Sequence, residues 1–283
     1  MERKLAPVVI FVYNRLQNTK ETVEALKNNY LAKDTDVFIF SDGPKDNEKS
    51  RKTVQEVRDY LKTVTGFKSF TVVERKENIY LERNVIEGVT EIVNRFGKII
   101  VLEDDGVSAK YFLTFMNMAL DFYEHIEKVM HVATFTFITM PDGYNKTFFW
   151  RYSENTGGGW GTWKNRWEKF VWFQNEEEGL SALTEEQKNK IQMEGVFPCL
   201  SHLRAKPIPW DICWYIAITR NDGLAVNSPF PLIKNNGLFN GTHFSAINKI
   251  LGKSPFEIEL STRENIVFDN NIIENEKAME LLK

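Results

Sequence analysis

The sequence predicts an α/β fold: a mostly parallel sheet, doubly wound, with helices on both faces. Three observations carry that reading. Short β-rich apolar runs recur through the first half of the chain, amphipathic helical patterns alternate with them, and each run stops at a polar or glycine-containing segment. The order is βαβαβαβα, which short right-handed crossovers pack into a parallel sheet. With 283 residues, 42% of them apolar, the chain can bury a sizeable core.

Val8 to Val12 (VVIFV) is continuously apolar and reads as a buried first strand. Its apolar stretch, Pro7 to Tyr13, is too short to span a membrane and lacks a small-residue cleavage site. A helix is expected from about Thr19 to Asn29. Val37 to Phe40 is a second strand, stopped by Ser41-Asp42-Gly43-Pro44. Asn47 to Thr63 is polar and amphipathic, and Phe70 to Val73 is a third strand. From Tyr80 to Phe96, Val85, Ile86, Val89, Ile92 and Val93 recur at helical spacing on one face. Ile99 to Leu102 is a fourth strand, followed by a helix over Ala109 to Ile126 and a strand over Val132 to Phe135. Beyond Thr136 the chain is loopier and richer in glycine and aromatics. Helices are expected there around Gly161 to Trp172 and Trp210 to Asn221, and Asn175 to Glu178 reads as a solvated loop.

Charge and cysteine content narrow the function classes. A net charge of −3 gives no electrostatic reason to expect nucleic acid as a partner. Cys199 and Cys213 are the only cysteines, too few for a structural zinc site alone or a secreted disulfide framework. The expectation is a cytoplasmic protein without a transmembrane segment, with peripheral association at the inner membrane surface left open.

In open sheets of this kind, ligands bind beyond the carboxyl ends of the strands. Arg15, Asp42, Asn78 and Glu103 to Asp105 all fall at such ends or in the loops that follow. The sharpest signal is IIVLEDD, Ile99 to Asp105. Three consecutive carboxylates ending a buried strand are costly unless something positive neutralises them. Hard oxygen ligands suit Mg²⁺ or Mn²⁺, which take one or two carboxylates and fill the remaining positions with water and ligand phosphates. A solvated acidic turn is the competing reading, and metal-dependent hydrolases also end strands with paired acids.

Three segments of the second half add to this. Asn155 to Trp167 (NTGGGWGTWKNRW) combines glycines that permit close backbone approach with flat indole faces of the kind sugars stack on. Pro209 to Trp214 (PWDICW) sets Asp211 between two indoles. Asn235 to His243 (NNGLFNGTH) is a polar, glycine-rich loop ending in a histidine.

Taken in order, YNR (Tyr13 to Arg15), SDG (Ser41 to Gly43), NxxxxRN (Asn78 to Asn84), VLEDD (Val101 to Asp105), GGGWGTW (Gly157 to Trp163), WDxxW (Trp210 to Trp214) and NGLFNGTH (Asn236 to His243) resemble the GT-A glycosyltransferases. Within them the set is similar to the N-acetylglucosaminyltransferase I type and its bacterial relatives, over roughly residues 7 to 245. The resemblance implies one GT-A domain over 1–283, with a nucleotide-sugar-binding half of about 1–135 and an acceptor-side half of about 136–283. It implies a metal-dependent transferase moving a sugar from a nucleotide-sugar donor, a UDP-sugar, to a hydroxyl of a glycan or lipid-linked glycan. Glycan or surface-polysaccharide synthesis would be its setting.

The same resemblance assigns roles. Arg15 and Asp42 would contact the nucleotide, Asp42 near the uracil, and Asn78 belongs to the same donor site. Asp104 would contact the sugar or ribose, Asp105 would bind Mn²⁺ (or Mg²⁺), and Glu103 would assist. Asp211 resembles the general base that takes the acceptor hydroxyl proton, although Asp is also a favoured helix N-cap. His243 is a candidate metal or phosphate contact; some relatives use no histidine ligand. Arg83 would meet a phosphate or an acid. Trp160 and Trp210 are acceptor-site candidates, whereas Trp163 and Trp167, four apart, suit helical packing. A single base with no second carboxylate as nucleophile favours inversion. The competing functions are a nucleotide-sugar phosphohydrolase or nucleotidyltransferase, against which VYNRLQNTK lacks a glycine-rich phosphate loop, and a non-catalytic carbohydrate-binding protein of the same fold.

Overall fold

The structure, a computed structural model, describes residues 4–282 apart from 136–137, 139, 142, 153–157 and 238–258. Its centre is an eight-stranded sheet. The first half supplies β1 (Val8–Val12), β2 (Asp36–Ser41), β3 (Ser69–Glu74) and β4 (Lys98–Glu103), all mutually parallel, in the order β3-β2-β1-β4. Three helices connect them: α1 (Leu16–Lys27), α2 (Glu48–Leu61) and α3 (Tyr80–Phe96). Asn47 starts α2 by accepting the Ser50 backbone N–H at 2.8 Å. α3 stops at Gly97, whose φ of +82° suits a residue without a Cβ.

Strand alternation sorts the core into two layers. Val8, Ile10, Val37, Ile39, Ile100 and Leu102 face α1, α2 and the later helix α4 (Phe112–Phe122), which follows the short β5 (Gly106–Ser108). Val9, Phe11, Phe38, Phe40, Ile99 and Val101 face α3. Gly88 lets α3 lie close: a Cβ there would fall 2.7 Å from the Phe11 ring.

The second half completes the same sheet. β6 (Val129–Ala133), β7 (Phe148–Trp150), β8 (Gly158–Trp163) and β9 (Leu224–Asn227) extend it in the order β4-β8-β6-β9-β7, with β8 and β7 antiparallel to their neighbours. The expected strand at Val132 to Phe135 lies earlier, as β6.

The helix expected around Gly161 to Trp172 is a larger correction. Gly158 to Trp163 is an interior strand, and only Lys164–Trp167 (α5) forms one helical turn. Periodicity misled here because the indoles mark strand faces. Trp160 packs toward α3 and Trp163 toward α4, where its indole N–H donates to the Leu120 carbonyl at 2.9 Å. The glycines serve the strand. A Cβ on Gly158 (φ +82°) would fall 2.5 Å from Leu102 Cα, and one on Gly161 would fall 2.8 Å from the Ile99 carbonyl oxygen. Asn175 to Glu178 is not a plain loop either, since Asn175 caps α6 (Glu176–Ser181) through the Glu178 N–H at 2.9 Å.

The chain continues through α7 (Glu185–Ile191) to α8 (Trp210–Arg220), which packs beside α3, and β10 (Ile233–Asn235) pairs with β5. The C-terminal segment runs past the β7 edge, where Arg151 is clamped by Glu274 at 2.6 and 2.7 Å, before α9 (Glu276–Leu282). Among the described residues, no helix is long and apolar enough to cross a membrane.

Candidate active site

β2, β1 and β4 are parallel neighbours, so the residues just after them share one rim of the sheet. Asp42 leaves β2, Arg15 leaves β1, and Glu103-Asp104-Asp105 close β4. The topology thus gathers acids that are far apart in sequence, with the arginine from the middle strand between them.

Asp42 is buried and held by three donors. Its Oδ1 accepts the backbone N–H groups of Gly43 at 2.8 Å and Ile79 at 2.9 Å, and its Oδ2 accepts the Asn78 amide at 2.9 Å. Asn78 also donates to the Gly43 carbonyl at 2.9 Å, locking the β3–α3 loop onto the turn after β2. Asp42 Oδ2, with one such bond, keeps acceptor capacity for a further N–H. Arg58 of α2 fastens the same turn, donating to the carbonyls of Asp42 (3.2 Å) and Arg75 (2.7 Å). Nothing in the sequence singled it out, because an arginine on an amphipathic helix reads as a solvated charge.

The acidic run has a positive partner inside the chain. Arg15 grips Asp104 in bidentate fashion through Nε (3.1 Å) and Nη2, and Nη2 also reaches Asp105 at 3.0 Å. Asp104 and Asp105 are buried. Burial raises the Asp104 carboxyl most, and Arg15 pulls it back, leaving it pushed up to about 6. Glu103, half-buried, is held well above the usual carboxylate range, first by burial and then by Asp105, Asp104 and Asp211.

The loop after β10 closes on the same acids. Asn236 N–H donates to the Asp105 carbonyl at 2.9 Å, the Asn236 amide donates to Glu21 at 2.7 Å, and Gly237 lies so close that a Cβ there would sit 1.9 Å from Asp105 Oδ2.

Asp211 lies in the first turn of α8 but is not its cap; Pro209 occupies that position, and Asp211 Oδ1 accepts the N–H of its neighbour Ile212 at 2.9 Å. Its charge acts on both Glu103 and Glu82. Glu82, in the first turn of α3, is raised by burial and then by Asp211. The sequence reading missed Glu82, since an acid in a first helical turn is ordinary dipole compensation.

The remaining candidates fall elsewhere. Trp160 and Trp210 stack on each other at 5.3 Å and are both buried, with Trp160 also against His131 at 5.4 Å. The expectation of an acceptor surface on these two rings is therefore corrected: β8 is an interior strand, and its Trp160 indole is covered by Trp210 at the start of α8. Trp214 donates its indole N–H to His131 Nδ1 at 3.1 Å, fastening the same helix, and so the base of Asp211, to β6. Arg83 is exposed and pairs with an acid of its own helix, Glu87, at 2.7 Å. His243 lies outside the described residues, as do Asn155 to Gly157 of the glycine-rich segment.

With this geometry in place, comparison with known proteins decides the class. The family model of Glycosyl transferase family 2 matches residues 8–176, more than half of the chain and nearly all of the rim just described. The chain belongs to glycosyl transferase family 2. Its fold has the GT-A arrangement that the motif order implied. Solved structures similar to this family 2 chain include TarS of S. aureus (14% identity, TM-score 0.34, 46% of this chain and 21% of that one) and TarS residues 1–349 (8%, 0.46, 81% and 59%). A third is the mannosyltransferase PcManGT from Pyrobaculum calidifontis, in complex with GDP-Man and Mn²⁺ (14%, 0.40, 82% and 58%). The chain thus spans less than two thirds of the length of each. Among curated proteins, none matches the sequence.

Proposed function

We propose that this glycosyltransferase moves a sugar from a UDP-sugar to an acceptor hydroxyl with inversion, working with Mn²⁺ or Mg²⁺ in glycan or surface-polysaccharide synthesis. The observation that carries the reading is the placement of Asp211 within electrostatic reach of the β4 acids, on the rim that also holds Asp42.

Asp42, rigidly oriented by Gly43, Asn78 and Ile79, offers its remaining acceptor capacity to the imino N–H of a uracil. Asp104, paired with Arg15, faces the ribose or sugar, and Arg15 keeps the two aspartates from repelling each other. The donor set fits a divalent cation: three carboxylates stand against one guanidinium, and Glu103 is raised by burial first and then by the neighbouring acids, a cost that a cation would relieve. Among the described residues no three metal-ligating side chains converge on one point, so Asp105, assisted by Glu103, would supply one or two ligands and leave the rest to water and phosphate. When bound, the cation would offset the charge that grows on the diphosphate as the glycosidic bond breaks. Asp211 takes the proton from the acceptor hydroxyl as that oxygen attacks. His243 remains a candidate phosphate or metal contact of the same site.

In this reading residues 1–135 form the donor half and 136–283 the acceptor-side half of one domain, acting on a glycan or lipid-linked glycan in the cytoplasm or at the inner membrane surface. Two variants test it. Asp211→Asn is expected to keep UDP binding and lose turnover by at least 100-fold. Asp105→Ala is expected to lose Mn²⁺-dependent UDP binding. Retained anomeric configuration in the product, read by NMR from a defined donor, would overturn the inverting mechanism.

A further inference from the structure

We infer that Tyr80 is a nucleotide-contact residue whose ring packs on the base of the donor and adds to the affinity of the site for the nucleotide. The inference rests on the donor reading of Asp42.

Tyr80 opens α3 with φ of +65°, a left-handed conformation that glycine adopts freely and a tyrosine does not. The chain needs that turn because its approach is fixed. Asn78 and Ile79 are bonded to Asp42, and a Cβ on Gly43 would fall 2.3 Å from the Glu77 carbonyl, so the loop lies directly on the turn after β2. A glycine would make the turn without steric cost. The ring does not repay the strain by packing within the chain, for Tyr80 is 60% exposed and Leu81 beside it 47%.

What the ring does meet belongs to the donor rim. Lys45 Nζ stands over it, 5.7 Å from the centroid. The Lys45 backbone N–H donates to Ser50 Oγ at 2.9 Å, and Ser50 Oγ shares a hydrogen bond with the Tyr13 hydroxyl at 2.7 Å. Tyr13, Ser50, Lys45 and Tyr80 thus form a chain of contacts beside Asp42, linking the ends of β1, β2 and β3. An exposed aromatic face one residue from the N–H that orients Asp42 is placed to stack on a base whose edge that carboxylate reads. Backbone strain held at a site and offset there by a ligand is a recurring arrangement, and base–aromatic stacking is a π-face interaction open to any base.

The test separates ring from backbone. Tyr80→Gly removes the ring and relieves the left-handed turn, so its thermal midpoint without ligand should rise, by roughly 2–4 °C. In the same protein, affinity for UDP with Mn²⁺ by titration calorimetry should fall about tenfold. Tyr80→Phe should match the wild type in affinity, and whichever of UDP, GDP, CDP and ADP bind the wild type should all bind Tyr80→Gly more weakly. A merely structural tyrosine predicts the opposite pairing: lowered midpoint, unchanged affinity. Unchanged UDP affinity in Tyr80→Gly, alongside a loss in Asp42→Asn, overturns the Tyr80 assignment alone. No loss in Asp42→Asn, or no binding of any of the four nucleotides to the wild type, overturns the donor reading and this assignment with it.

Discussion

Replacing Arg15 by methionine removes the positively charged partner that two buried carboxylates share among the described residues, while keeping an unbranched side chain of similar reach. Breaking a buried ion pair by deleting one partner typically costs about 3–5 kcal/mol, most of it the penalty of the charge left behind. A third of the Arg15 side chain meets water, so the lower end, about 3 kcal/mol, is the expected loss for Arg15→Met in EDTA. For a chain of this size that lowers the thermal midpoint by about 6–12 °C. The pH dependence carries the sharper test. With Arg15 present the Asp104 carboxyl is already pushed up to about 6, above the ordinary value of 3.8. A group that binds its proton more tightly folded than unfolded makes stability fall as pH rises between the two values, and restores it as pH falls. Without the guanidinium this carboxyl rises further and the window extends above 6. The deficit of Arg15→Met against wild type should therefore be greatest at pH 7.5 and shrink steadily toward pH 5. Urea unfolding at five pH values in that range measures it. A deficit below about 1 kcal/mol, or one that does not change with pH, would show that Asp104 and Asp105 are already well solvated and that Arg15 is not their counter-ion.

Gly237→Ala should lower the unfolding midpoint by several degrees and weaken Mn²⁺-dependent UDP binding about tenfold, because its Cβ, 1.9 Å from Asp105 Oδ2, would push that buried carboxylate off its pairing with Arg15; calorimetry checks both. Gly158→Ala should destabilise by about 3 kcal/mol or more, since both its φ of +82° and the 2.5 Å approach of a Cβ to Leu102 Cα fall on backbone that cannot yield; soluble yield and urea unfolding report it. Cys199 and Cys213 are fully buried, burial raising both thiols, Cys213 to about 12. Neither should react with a disulfide reagent at pH 8 in the native protein, and both should react at once in 6 M guanidinium.

The first half was legible because each of its signals is local. VVIFV, FIF and IIVL are buried on both faces, so their apolar runs are continuous, and the α3 face at Val85, Val89, Ile92 and Val93 follows from spacing alone. The second half hid its strand because GGWGTW is an interior strand built from residues that usually mark loops and helices. Its glycines answer to Leu102 and Ile99 on the neighbouring strand, which no local pattern discloses. The site divides the same way. The acids announced themselves as a charge that a buried strand end should not carry, and the question of what neutralises them was the right one. Part of the answer, Arg15, lies some ninety residues earlier and comes near only because β1 and β4 pair. Trp160 and Trp210 show the converse error. Indoles beside an acid look like a sugar platform in sequence, yet once β8 is interior their apolar area is worth more in the core than at the surface. The stack of Trp210 on Trp160 and the Trp214–His131 hydrogen bond hold α8 down on either side of Asp211. The tryptophans thus help fix where Asp211 stands on α8, their own rings being buried rather than offered to a ligand.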